Sequence, residues 1–140
     1  MYKRRARVVF FAAATPCVAA LARALAEHLD SQWLDVRAAF TGPAPHCPPA
    51  TSDGLPLSAV PAALDESLLG WADLLVCLDA AALTACPALP PDVRRIHWPA
   101  VAAVAHLGVD DPTLRKALEE RIQGMIGGMR LLAGLDGGSP

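Results

Sequence analysis

Apolar positions first gather at residues 8–11, an unbroken run of β-branched and aromatic side chains. Such a run predicts a strand buried on both faces, as in a parallel sheet. Thr15-Pro16 then marks a helix start, with Thr15 as N-cap and Pro16 at the first helical position. Val18, Leu21, Leu25 and Leu29 recur at intervals of three and four, forming one apolar helix face, while Arg23 and Glu27 lie near the opposite one. "WLDVRAAF" at 33–40 predicts a second strand. Prolines, Gly54 and small polar residues make 42–56 a loop. Residues 57–69 carry a weak helical pattern interrupted by Pro61. "DLLVCL" at 73–78 predicts another short buried strand, 80–85 a short helix stopped by Pro87, and 93–97 a last brief strand. The clearest element is the final helix. Asp111 caps it, Pro112 starts it, and Leu114, Leu118, Ile122, Met125, Met129 and Leu132 form its stripe.

Strands alternating with helices predict a three-layer α/β/α sandwich around a four-stranded parallel sheet. Strands 8–11 and 73–78 are expected to lie parallel in that sheet. One domain over residues 1–135 is expected, followed by a disordered tail at 136–140. Ligands of such sheets bind beyond the carboxyl ends of the strands, which points to residues 12–18.

The chain has 140 residues, 54% of them hydrophobic, with a formal net charge of −2. That balance supplies no basic field for nucleic acid. The cationic run of Lys3, Arg4, Arg5 and Arg7 before an apolar stretch has the outline of a secretory signal. Arg23, Glu27 and His28 carry the amphipathic pattern past any cleavage point, so the segment reads as the first strand and helix of the domain. No stretch reaches the roughly 20 apolar residues of a membrane-spanning helix. The four cysteines, Cys17, Cys47, Cys77 and Cys86, show no Cys-x-x-Cys spacing and give no zinc signature. Reduced thiols and a cytoplasmic location are the expectation.

The turn "AAATP" between the first strand and helix is chemically bare. Cys17 and Arg23, "CVAALAR", offer a Cys-x5-Arg pattern, but "VAALA" is strong helix former. On a helix those two side chains stand about 120° from alignment and roughly 9 Å apart along the axis. His46-Cys47 lies in a proline-rich loop without further ligands at metal spacing. His28 and His106 read as solvated, and His97-Trp98 as packing and hydrogen bonding. Ala13, Ala14, Thr15 and Cys17 line the candidate pocket, an alanine-rich surface suited to a small apolar ligand or a partner's side chain. No cofactor and no metal are called for, and a homodimer is compatible with the pattern.

Three segments give the chain a resemblance to the low-molecular-weight protein tyrosine phosphatases and the thioredoxin-coupled arsenate reductases. They are "VVFFAAATPCVAALARAL", "WADLLVCLDAAALTACPALPP" and "RRIHWPAVAAVA" with the long terminal helix. In that family a thiolate attacks phosphorus or arsenic, backbone N–H groups and an arginine hold the oxyanion, and an aspartic acid protonates the leaving group. The resemblance places the nucleophile on Ala12, the arginine on Val18 and the acid on or near Ala102. The loop glycine falls on Ala14 and the loop asparagine on Thr15. Of the reductases' two further cysteines, one matches Cys86 and the other falls on Asp79. Alanine has no lone pair to attack with, and valine cannot neutralise an oxyanion. The resemblance thus implies the phosphatase-like fold in a catalytically inactive homologue, acting as a binding or protein-interaction module. The alternative is a thiol-dependent phosphatase or reductase using Cys17 or Cys86.

Overall fold

The computed structural model describes residues 5–29, 32–57 and 61–137, with side chains described as far as residue 128. Its elements run β1 (Ala6–Phe11), α1 (Pro16–Leu29), β2 (Leu34–Phe40), β3 (Ala62–Ala63), α2 (Glu66–Trp71), β4 (Leu74–Cys77), α3 (Ala80–Ala85), β5 (Arg94–His97), α4 (Pro99–Ala102), a 3-10 turn (Ala105–Leu107) and α5 (Pro112–Gly137). The strands form one sheet in the order β3-β2-β1-β4-β5. Every pairing is parallel, including β1 with β4 as expected.

The alternation of side chains along β1 sorts the core into two layers. Val8, Phe10 and Ala12 face one side, where Leu21, Leu25, Leu114, Leu118 and Ile122 of α1 and α5 cover them. Val9 and Phe11 face the other, against Leu68, Leu69, Ala82 and Val93. Residues 8–12 are fully buried, which explains why β1 reads as a continuous apolar run. In α5, Leu114, Leu118 and Ile122 are fully buried and Ile126 nearly so. Met125 only flanks that stripe. Met129 and Leu132 lie beyond the residues whose side chains are described. Asp111 caps the helix as expected, its Oδ1 accepting from the Thr113 N–H at 2.8 Å.

Three expectations need correction. The sheet has five strands, because Ala62–Ala63 add a two-residue edge beside Ala39 and Phe40 of β2. Two exposed alanines carry no alternation from which a strand could be read. The weak helix over 57–69 is a helix only from Glu66. Asp65 sets its start by accepting from the Leu68 N–H at 2.8 Å, and residues 58–60 lie outside those described. The helical content of α5 runs through Gly137, into the expected tail; residues 138–140 lie outside those described.

The loop at 41–57 is anchored although it has no regular element beyond an Ala50–Pro56 bridge. Leu55 and Leu57 are buried, the Ser52 N–H donates to Asp110 at 2.6 Å, and Arg115 of α5 pairs with Asp53 at 2.6 Å. No described helix is long and apolar enough to cross a membrane.

Candidate functional site

In this topology β1 leads by way of α1 to β2 on one side, and β4 lies on its other side. In such sheets ligands bind where the connections diverge, here beyond the carboxyl ends of β1 and β4. Phe11 is in register with Cys77, and the Leu78 N–H donates to the Phe11 carbonyl at 2.9 Å. Two residues further on, Ala13 of one loop therefore stands opposite Asp79 of the other.

That neighbourhood is tightly bonded. Asp79 Oδ1 accepts from the Ala13 N–H at 3.1 Å and from the Ala82 N–H at 2.7 Å. Asp79 Oδ2 accepts from the N–H groups of Ala14 at 2.9 Å and Thr15 at 3.0 Å, and from the Thr15 hydroxyl at 3.0 Å. One carboxylate thus caps α3 and gathers the donors that precede α1. It is only 5% exposed. Burial pushes the Asp79 carboxyl up, but the bonds from Ala13, Ala82 and Thr15 outweigh it and hold the group below the usual carboxylate range. Thr15 precedes the helix as expected, with its hydroxyl turned to Asp79.

The positions where the resemblance placed the reacting groups carry apolar side chains. Ala12 is fully buried, and its N–H donates to the Ala39 carbonyl at 3.3 Å. Val18 is 2% exposed and belongs to the core under α1. Ala102 is half-buried at the end of α4. Of the candidate pocket residues, Thr15 and Cys17 line a small hollow of about 210 Å³ with Pro16 and Val18, facing Ala105, His106, Gly108 and Val109. Ala13 and Ala14 are instead committed through their N–H groups to Asp79. A larger groove of about 600 Å³ lies apart from this loop, between Thr51–Asp53 and the start of α5.

The cysteines depart from the expectation of reduced thiols. Cys17 and Cys47 are joined in a disulfide, Cα to Cα 5.5 Å, because the 41–57 loop folds back over the start of α1. Cys17 is therefore no free nucleophile, and His46-Cys47 is no unattached loop motif. Cys77 and Cys86 are free. Burial, then the neighbouring Cys86 thiol, push the Cys77 thiol up to about 12, so it stays protonated at neutral pH. Cys86 is half-buried, its thiol donating to the Pro87 carbonyl. Trp98 packs on Phe10 with ring centroids 5.9 Å apart, in keeping with the packing role expected of it. The hydrogen bonding expected of His97 is not found at Nε2, which is buried without a partner among the described residues. No cluster of metal-ligating side chains occurs among the described residues.

Parallel strands with helices on both faces make this an α/β fold that solved arsenate reductases and phosphatases share. Over part of its length the chain is similar to arsenate reductases. One of Bacillus cereus (strain AH187) is 38% identical over 65 residues, 46% of this chain and 42% of that relative. The match spans less than half the length of the relative. The thioredoxin-dependent arsenate reductase of Corynebacterium glutamicum shares the fold, with a TM-score of 0.69 at 19% identity over 94% of this chain and 65% of that one. An arsenate reductase in the phosphate binding state gives 0.60 at 16% identity, over 89% of this chain and 98% of that one. No family model matches the chain.

Proposed function

We propose that the chain is a catalytically inactive relative of the arsenate reductases and low-molecular-weight phosphatases, acting as a binding or protein-interaction module. The observation that carries this reading is Ala12. At the end of β1, where the chemistry requires a thiolate, there is a fully buried methyl group. Val18 supports it, since a valine packed in the core offers no charge to an oxyanion. The disulfide at Cys17 removes that thiol from the competing reading, which leaves Cys86 as its half-buried candidate.

The test is turnover by the pure chain, on aryl phosphates and on arsenate with a thioredoxin system. Neither reaction is expected to exceed the blank. Removing a single oxyanion donor typically costs about 10²–10³ in rate, and here nucleophile, cation and acid are lost together. Turnover that disappears in Cys86→Ser would overturn the proposal and establish a thiol enzyme.

A further inference from the structure

The loop donors are not left open. Backbone N–H groups of Ala13, Ala14 and Thr15 and the Thr15 hydroxyl converge on Asp79 from one side, and the Ala82 N–H meets it from the other. A carboxylate receiving four bonds from one turn is bound as a free oxyanion would be, with charge-assisted bonds at a helix start. A cap for α3 needs only the bond from Ala82. The four bonds to the β1–α1 loop are additional. They use the donors that could hold an external anion, and they bring a negative charge that would repel one.

We infer that Asp79 is a built-in ligand, an autoinhibitory contact that keeps tetrahedral oxyanions such as inorganic phosphate out of the 12–15 loop. The inference rests on the inactive reading above and deepens it: the site is closed as well as lacking its reacting groups. Pro16 contributes no N–H, so the loop's own donors are those of residues 13–15. Removing the carboxylate while keeping the α3 cap should reopen them.

Asp79→Ser does this. Serine caps a short helix about as well as aspartate, yet its hydroxyl is too short to span to the opposite loop. Phosphate binding is read by calorimetry and by the shift in melting temperature on adding inorganic phosphate at neutral pH. Wild type is expected to show neither. Asp79→Ser is expected to bind phosphate at least about tenfold more tightly than wild type and to be stabilised by it. Asp79→Asn keeps the volume and the cap but loses the charge, and it decides the matter if the serine variant does not fold. It too is expected to bind more tightly than wild type. A folded Asp79→Ser, or in its absence Asp79→Asn, that responds to phosphate no more than wild type would overturn the inference. So would saturable phosphate binding by wild type that Asp79→Asn leaves unchanged. Neither readout requires turnover. Wild-type catalysis through Cys86 would sink the inactive reading alone, and an unresponsive variant would sink the closed loop alone.

Discussion

Asp79→Ala should lower the stability of the folded chain by about 3–5 kcal/mol, because it orphans one buried donor and several half-buried ones at once. The carboxylate accepts five bonds, from Ala13, Ala14, Thr15 twice and Ala82. Each buried donor left without a partner costs about 1–3 kcal/mol, and water reaching the exposed Ala14 side offsets part of the sum. Chemical denaturation at neutral pH measures it. The loss should depend on pH in a defined sense. The Asp79 carboxyl is held below its ordinary value in the folded chain. Its contribution is therefore present above the unfolded pKa of about 3.9 and fades as pH falls through the lower, folded value. Wild type should lose stability on acidification, and Asp79→Ala should lack that part of the decline. The gap between them should be widest at neutral pH. A gap that is constant into strong acid would mean that the carboxylate's charge is irrelevant to the contact.

Reducing the Cys17–Cys47 bond is expected to have an effect of similar size. The bridge closes a loop with a sequence separation of 30. The chain-entropy estimate for a loop of that length is about 3.6 kcal/mol at 25 °C. The sheet itself does not depend on it, and Leu55, Leu57 and the Arg115–Asp53 pair still hold the 41–57 loop to the body. Reduction should thus lower the denaturation midpoint while leaving the secondary structure intact, and Cys47→Ser should reproduce the shift without a reductant. A thiol count of four in the untreated chain, with no response to a dithiol reductant, would show that the bond does not form in solution.

Where the local pattern was strong, the sequence could be read closely. The apolar run at 8–11, the spaced leucines of α1 and the Asp111-Pro112 start of α5 each state their own structure, since burial on both faces, one apolar stripe and a capped start are local signals. Ala62–Ala63 could not be read, because a two-residue edge strand of exposed alanines has no periodicity. The disulfide could not be read either. Residues 30 apart come together only once the loop has folded back across α1, and cysteine spacing alone is silent on that. Asp79 was half legible. An aspartate before "AAALTA" is an ordinary N-cap, and the resemblance marked its position as one where the reductases place a cysteine. Its second role depends on the register of β1 with β4, which puts Ala13 opposite Asp79. That is a tertiary fact with no counterpart in the local sequence.

On the proposed reading, the candidate site keeps its architecture without the reacting groups. Strand, turn and helix persist because Val8 to Phe11 and the buried face of α1 build the core. The turn's N–H groups must still be satisfied, since buried backbone donors are costly when unpaired. Here the chain's own carboxylate serves them. The most direct measurement follows the backbone N–H resonances of Ala13, Ala14 and Thr15 in the wild-type chain by NMR as inorganic phosphate is added at neutral pH. These resonances are expected to stay where they are as phosphate rises, because Asp79 holds the donors. Saturable shifts confined to these three residues would contradict it, by showing a loop free to take an external oxyanion.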